Sequence, residues 1–107
     1  MGKGPFSPSF HAATELIGKR WNGAIIYCLF HELTRFSDIK DAIPGLSARM
    51  LSERLKELET NGVIERIVIP ETPVRIEYSL TAKGQALREV MLTLHKWAKV
   101  WHTEQTE

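Results

Sequence analysis

The stretch that decides the fold is residues 44–84, PGLSARMLSERLKELETNGVIERIVIPETPVRIEYSLTAKG. Three leucines in it recur at i, i+4 and i+7, the spacing of one buried stripe on a helix: Leu51, Leu55 and Leu58. Ser47 precedes the stripe, and its hydroxyl can accept a hydrogen bond from a free amide of the first turn. Asn61-Gly62 follows it, and both residues tolerate the left-handed backbone of a C-terminal cap. The pattern therefore predicts a helix over residues 47–60.

Two runs of β-branched residues follow this helix. Residues 63–69 and 74–80 alternate in character, which favours β-strands. The segment Pro70-Glu71-Thr72-Pro73 joins them and cannot continue a ladder, since proline lacks the amide donor. A short helix with an exposed basic row, followed by a hairpin, is typical of a winged helix-turn-helix that binds double-stranded DNA. The predicted fold class is mainly α with a small β-hairpin (α+β).

Three further helices are expected before residue 47 and one after the hairpin. They span residues 9–18, 21–31, 36–43 and 81–104. The second is apolar almost all round, which predicts a central, buried position. Residues 1–8, rich in glycine and proline, are expected to form an arm. On length grounds residues 1–107 form a single domain.

The face of the 47–60 helix opposite the leucines is polar and is the candidate surface for DNA. Arg49 can reach a guanine edge in the major groove, and Lys56 can contact the phosphate backbone. Arg54, at the border of the leucine stripe, fits a structural role and a phosphate contact equally. The candidate DNA-binding residues of this helix are Ser47, Arg49, Met50, Ser52, Glu53 and Lys56. The alternative is an ordinary solvated face with ion pairs at i+3 and i+4.

Three cations outside this helix are further candidates for DNA contact. Arg75, near the hairpin tip, is expected in or over the minor groove. The alternative for Arg75 is an ion pair with Glu71 or Glu77. Lys19 and Arg20, just before the second helix, can contact phosphates or form a solvated surface pair.

The last predicted helix carries more apolar surface than one small domain can cover. Its apolar positions form two adjacent faces that include two tryptophans. Large exposed apolar patches are rare on monomers, so we expect a second copy to cover them, with the N-terminal helix contributing Phe10. The candidate dimer-interface residues of the last helix are Leu87, Val90, Met91, Leu94, Trp97 and Trp101. The alternative is that this surface folds back onto its own domain.

The composition narrows the partners of the chain. The formal net charge is only +1, so contacts with DNA must come from local placement of charge and not from a general positive field. No window approaches the ~18 apolar residues of a membrane span, and no membrane partner is expected. A single cysteine excludes an intrachain disulfide, which fits a reducing cytoplasm. We therefore expect a cytoplasmic protein.

The sequence lacks catalytic and metal-binding patterns. Four histidines, His11, His31, His95 and His102, include no close ligand pair such as H-x₃-H. A nucleophile elbow and a Gly-rich phosphate loop are also missing. We therefore predict no enzymatic activity, no metal and no cofactor. Cys28 lies in the apolar second helix, where burial favours an inert thiol over a secondary sensing site.

Three stretches of the chain resemble the HxlR-type family of bacterial transcription regulators, dimeric winged-helix proteins related in architecture to the MarR group. They are LIGKRWNGAII (16–26), RFSDIKDAIPGLSARMLSERLKELETNGVIER (35–66) and PETPVRIEYSLTAKG (70–84). The resemblance implies a homodimeric regulator, a repressor more often than an activator, that binds a pseudo-palindromic operator. Within the family the chain looks most like the members that sense quinones, diamide or other electrophiles. A small electrophile such as a quinone is therefore the effector that the resemblance implies.

One position departs from the pattern of those sensors. They carry a cysteine just before a proline near the N-terminus, and the matching residue here is Ser7, before Pro8. Serine cannot form a thiolate, so it is not alkylated or oxidised in that way. Either the protein is regulated differently, or the serine replaces a sensing cysteine. Two other functions stay open, a winged-helix module for protein–protein contact and a regulator that responds to another small molecule or a metal.

Overall fold

The computed structural model describes residues 4, 5 and 7–102. Within them, helices and strands follow one another in this order: α1 (Pro8–Gly18), α2 (Asn22–Phe30), α3 (Phe36–Ala42), α4 (Ala48–Thr60), β1 (Ile64–Ile69), β2 (Arg75–Leu80), α5 (Ala82–Gln85) and α6 (Arg88–Trp101). The predicted fold class is confirmed, since helices predominate and the two strands form one antiparallel hairpin. None of the helices in the described part of the chain is long and apolar enough to cross a membrane.

The hydrophobic core forms around α2 and the inner face of α4. Ile25 and Ile26 of α2 are completely buried, as an apolar helix at the centre of a small domain should be. The leucine stripe of α4 belongs to the same core cluster: Leu51, Leu55 and Leu58. The sequence prediction for both helices is therefore confirmed, and the burial of the stripe turns the polar side of α4 outward.

Capping residues fix both ends of α4. The Ser47 hydroxyl oxygen accepts a hydrogen bond from the Met50 amide at 3.1 Å, which satisfies a donor that the helix leaves unpaired. At the other end Gly62 takes the left-handed conformation, with φ of +76°. Asn61 keeps a negative φ, and its side-chain amide donates instead to the Glu57 carbonyl oxygen.

The hairpin is anchored at its base and exposed at its tip. Ile64 pairs with Leu80 at the base, and both side chains are buried in the core. Ile69 pairs with Arg75 at the far end. Val68 and Val74, near the tip, are exposed. The hairpin therefore projects from the domain as a wing.

The predicted helix over residues 81–104 is wrong in its continuity. The structure has two helices there, α5 and α6, separated by Ala86 and Leu87. The Leu87 amide donates to the Gly84 carbonyl oxygen at 3.0 Å, an i→i−3 bond that tightens the turn and ends the regular α5 pattern. The helix α6 ends at Trp101, and residues 103 and 104 lie outside the described part of the chain.

The N-terminal arm also ends earlier than predicted. Pro8 is the first residue of α1, and Ser7 is its N-cap, whose hydroxyl oxygen accepts from the Phe10 amide at 3.1 Å. Proline suits this position because its missing amide donor would be unpaired in any case. Of the predicted arm, residues 1–3 and 6 lie outside the described part of the chain.

A close approach between α5 and β1 gives a stability prediction. A Cβ on Gly84 would overlap the backbone carbonyl oxygen of Val63 and crowd Leu80. We expect Gly84→Ala to lower the free energy of unfolding by about 1–3 kcal/mol, the usual cost of overpacking. Urea denaturation followed by circular dichroism measures the change.

Gly23→Ala is the matched control. A Cβ at Gly23, inside α2, meets no atom within 4 Å. Alanine is also the better helix former, so the control should keep or raise the free energy of unfolding. Equal stability of the two variants would contradict the close approach at Gly84.

Candidate nucleic-acid interface

The outer face of α4 is exposed and polar, as the sequence predicts. The Arg49 side chain is 90% exposed, and its Nε lies 3.5 Å from a carboxylate oxygen of Glu53, one turn along the helix. Ser52 and Lys56 are also exposed. Such an i,i+4 pair is weak in water, so Glu53 can orient Arg49 without preventing it from binding another acceptor.

Two candidate residues at the start of α4, Ser47 and Met50, have different surroundings. The Ser47 hydroxyl oxygen accepts the Met50 amide, which leaves its O–H proton free to donate to a phosphate oxygen. Met50 is half-buried and packs against the core. The structure therefore turns Met50 partly inward, unlike the exposed Arg49.

An ion-pair network ties the turn between α1 and α2 to α4. Lys19 Nζ lies 2.9 Å from Glu57 Oε2, and Arg54 Nη1 lies 3.4 Å from Glu57 Oε1. Arg54 Nε donates to the Arg20 carbonyl oxygen at 3.0 Å. Since the Arg54 side chain is only 13% exposed, the structure favours its structural role over a phosphate contact.

The sequence analysis missed the central residue of this network. The spacing of Arg54 and Glu57, three residues apart on one helix, suggests a pair. The contact between Glu57 and Lys19, however, joins residues 38 positions apart, and no local pattern predicts it. Lys19 is consequently a cation paired with Glu57 of α4, and not one half of a solvated pair with Arg20.

Arg20 packs on an aromatic ring. Its guanidinium carbon lies 4.4 Å from the centre of the Trp21 ring. Trp21 itself has a φ of +80°, a backbone conformation that is uncommon for a bulky residue. The edge of the Trp21 ring lies beside Gly45 in the turn between α3 and α4. The ring therefore links the α1–α2 turn to the turn that precedes the recognition helix.

The arginine of the wing is held by carboxylates. Arg75 Nη2 lies 3.4 Å from Glu71 Oε2, and its Nε lies 3.1 Å from Glu77 Oε2. The ion pair that the sequence left as the alternative is thus formed, with both glutamates. A minor-groove contact by Arg75, the other interpretation of the sequence, would have to replace these two pairs.

Several predicted interface residues of α1 and α6 are apolar and exposed, and we call this set the tryptophan patch. Trp97 and Trp101 are 54% and 70% exposed, far more than is usual for tryptophan. The other members of the patch are also exposed: Phe10, Val90 and Leu94. Val100, another apolar residue of the last helix, is also exposed.

Two predicted interface residues contact the core of their own chain. Met91 is only 6% exposed and belongs to the core cluster, and Leu87 is half-buried against it. The reason is that α6 uses one side to pack on its own domain, so only the residues next to that side are left uncovered. The Met91 side chain is therefore used by the core of its own chain, while the interface role of the half-buried Leu87 stays a prediction.

The two candidate positions for thiol sensing, Ser7 and Cys28, both have structural roles. Ser7 caps α1, as described above, and Cys28 is buried in the core. Burial raises the pKa of the Cys28 thiol, which disfavours the nucleophilic thiolate. In the described residues, histidine, cysteine and acidic side chains do not gather in a group of three that could hold a metal ion.

Comparison with known proteins places these features in a family. Residues 16–106 match the family model described as HxlR-like helix-turn-helix. The HTH-type transcriptional regulator YvaP of Bacillus subtilis (strain 168) is 52% identical over 101 residues, which cover 94% of each chain. The HTH-type transcriptional regulator YodB of the same organism is 50% identical over 91 residues, 85% of this chain and 81% of YodB.

Solved structures agree with the fold. The reduced form of YodB from B. subtilis superposes with a TM-score of 0.81 at 46% identity, covering 94% of this chain and 99% of that one. The quinone-bound form of YodB superposes with a TM-score of 0.75 at 44% identity, covering 89% and 99%.

The carboxylate of Glu57 gives a prediction for the dependence on pH. The hydrogen bond from Lys19, together with the nearby charges of Lys19 and Arg54, holds the pKa of Glu57 below its usual value. Because the folded-state pKa is the lower one, these contacts stabilise the protein above the unfolded pKa. That stabilisation is lost as the pH falls through the folded pKa.

We expect Lys19→Met to raise the pKa of Glu57, as measured by carboxyl-detected NMR titration. The hydrogen bond from Lys19 to Glu57 is then absent, and the charged form of the Glu57 carboxylate is less favoured. Lys96→Met, on the exposed side of α6, is the control and should leave the titration of Glu57 as it is. An unchanged pKa in Lys19→Met would mean that the pair does not form in solution.

Proposed function

The chain belongs to the HxlR-like helix-turn-helix family of transcriptional regulators, and from this we propose that it is a homodimeric repressor that binds a pseudo-palindromic DNA operator. The observation that supports this most directly is the outward face of α4. Its leucine stripe is buried, while Arg49, Ser52 and Lys56 project into solvent. A helix braced in this way can enter the major groove and present donors to base edges and phosphates.

Roles on DNA follow from the exposure and bonding of each side chain. Arg49 is the base-reading residue, because its guanidinium is nearly fully exposed and can bind a guanine edge through two bonds. Ser47, Ser52 and Lys56 bind phosphates. Lys19, in the α1–α2 turn beside Glu57, binds a phosphate as well. Arg20 does the same, because it forms no ion pair with an acidic residue in the described part of the chain. Glu53 positions Arg49.

The tryptophan patch supports the homodimer. Exposing more than half of each of two tryptophan side chains to water costs free energy. Burial of apolar surface is stabilising by about 25 cal/mol per Å². A two-fold axis through α6 covers the same patch on both copies. In the proposed dimer the two copies of α4 enter successive major grooves about one helical turn apart.

The proposal also includes the class of small molecule that regulates the protein. YodB has a solved structure with a bound quinone, and we propose that a small electrophile of this kind is also a signal for the present chain. Covalent reaction of a thiol with the electrophile is unfavourable at both candidate positions, because Ser7 is a helix cap without a thiol and the Cys28 thiol is buried with a raised pKa. Recognition of such a molecule would therefore rest on binding and not on covalent attack at these positions.

DNA binding by α4 is tested with Arg49→Ala. We expect a loss of about 1–3 kcal/mol in specific binding free energy and relaxed preference at one base pair, because a bidentate base contact is removed. The operator is first selected from fragmented genomic DNA, and affinity is then measured by fluorescence anisotropy. Lys96→Ala removes one charge from the outer side of α6 and should leave affinity and preference unchanged.

Two outcomes would contradict the role of Arg49 or of α4. If Arg49→Ala keeps both affinity and sequence preference, Arg49 does not read a base. If the native protein binds every duplex equally and only weakly, the wing and α4 serve contact with another protein instead. A salt titration separates these results, since phosphate contacts make affinity fall steeply with salt.

The dimer is tested with the double variant Trp97→Asp and Trp101→Asp. Two carboxylates in the tryptophan patch should prevent its burial, so sedimentation equilibrium should report a monomer. Leu92→Asp is the control, because Leu92 is also an exposed apolar residue but lies on another side of α6. This control should stay dimeric, and a dimeric double variant would place the interface elsewhere.

A further inference from the structure

The helix α6 has two different flanks beside the line that packs on the core. Met91 lies on the core side. Trp97 follows Arg88 by nine residues, which at 100° per residue puts the two on opposite sides of the helix. The tryptophan patch therefore occupies one flank, and Arg88 lies on the other, together with His95.

A groove between α2 and α6 borders the Arg88 flank. Its apolar part has a volume of about 360 Å³ and is lined by Ala24, Tyr27, Leu94 and Ala98 among others. A smaller cavity of about 110 Å³ adjoins it and contains Phe30, His31 and Arg88. The two share three side chains, namely Tyr27, Met91 and His95. Together they form one site, apolar at one end and rich in nitrogen donors at the other.

The walls of this site are aromatic. The Tyr27 ring stacks on His95, with ring centres 5.9 Å apart, and meets the edge of His31 at 4.5 Å. The Arg88 guanidinium carbon lies 4.6 Å above the centre of the Phe30 ring. Flat aromatic ligands fit beside such rings, since offset and edge-to-face ring contacts are both favourable.

Arg88 has its hydrogen-bonding capacity left over. Within residues 4, 5 and 7–102, no carboxylate lies within ion-pair distance of its guanidinium, although Glu89 is its neighbour in the chain. Among the described residues, the arginine and lysine side chains that do form ion pairs lie around α4 or in the wing: Lys19, Arg49, Arg54 and Arg75. A guanidinium presents a fork of donors that matches a carboxylate through two parallel bonds.

We propose that this groove binds a small aromatic carboxylic acid. The ring of the ligand lies in the apolar part beside Tyr27, and its carboxylate accepts from Arg88 and from an imidazole N–H of His31 or His95. Because Trp97 lies opposite Arg88 on α6, Arg88 stays accessible when Trp97 is covered by a second copy, whereas Leu94 belongs both to the tryptophan patch and to the lining of the groove. The site rests on its own geometry and does not depend on DNA binding or on the operator.

Binding is tested with 2-naphthoate as the probe and 2-naphthalenemethanol as its uncharged counterpart. Calorimetry should show saturable binding of the acid with one site per chain. The alcohol should bind at least about tenfold more weakly, since hydrogen bonds to charged groups add about 1.5–3 kcal/mol. In ¹H–¹⁵N spectra the acid should shift the amides of Gly23 and Ala24, which lie at the groove, and leave those of the wing in place.

Variants locate the probe within the groove. Arg88→Gln should weaken 2-naphthoate by about tenfold or more and change the alcohol by less than about twofold. Arg88→Lys should recover part of the loss, because the charge is kept and the fork is not. Ala24→Trp fills the apolar part and should weaken both compounds. Lys96→Gln removes a charge from the outer side of α6 and should affect neither.

Four results would overturn the proposal. They are the absence of saturable binding of 2-naphthoate, equal affinity for the acid and the alcohol, unchanged affinity in Arg88→Gln, and amide shifts confined to the tryptophan patch. Arg88 is exposed, so its substitution should not disturb folding, and a thermal melt of each variant checks this point. Loss of DNA binding with retained 2-naphthoate binding would count against the proposed function alone.

Discussion

The burial of one leucine stripe is the constraint on which the rest of this structure depends. Leu51, Leu55 and Leu58 are almost completely buried, and each such side chain contributes about 1.5–3 kcal/mol when it leaves water. No other rotation of α4 would bury them while keeping its charged residues hydrated. The outward orientation of the polar side chains of α4 is therefore a consequence of core packing, and it needs no partner to be established.

A second set of contacts fixes α4 relative to the N-terminal part of the chain. Glu57 holds both Lys19 and Arg54, and Arg54 bonds to the backbone of Arg20. The Trp21 ring lies beside the turn that leads into α4. A movement of α1 would thus act on the recognition helix through the inner edge of α4, whereas Arg49 on its outer face has no contact with this network.

Local signals in the sequence were sufficient where the structure is local. The Ser47 cap, the leucine period and the glycine after the helix act within a few residues, and each is found as predicted. The break before α6, where the Leu87 amide bonds to the Gly84 carbonyl oxygen, was not predicted, because Ala86 and Leu87 are both good helix formers. The burial of Met91 likewise depends on contacts with separate elements of the core, whereas both ion-pair partners of Arg75 are close in the sequence and were named from it.

The division of α6 into two flanks connects the proposed dimer with the proposed ligand site. In a dimer formed through the tryptophan patch, α6 sets the distance between the two copies of α4. The groove beside Arg88 lies between the same helix and α2, which shares its core with α4. A ligand that fits the groove better in one position of α6 than in another would shift the spacing of the two recognition helices. It could do so only by that difference in affinity. Such a ligand would act on the spacing without touching DNA, Cys28 or Ser7.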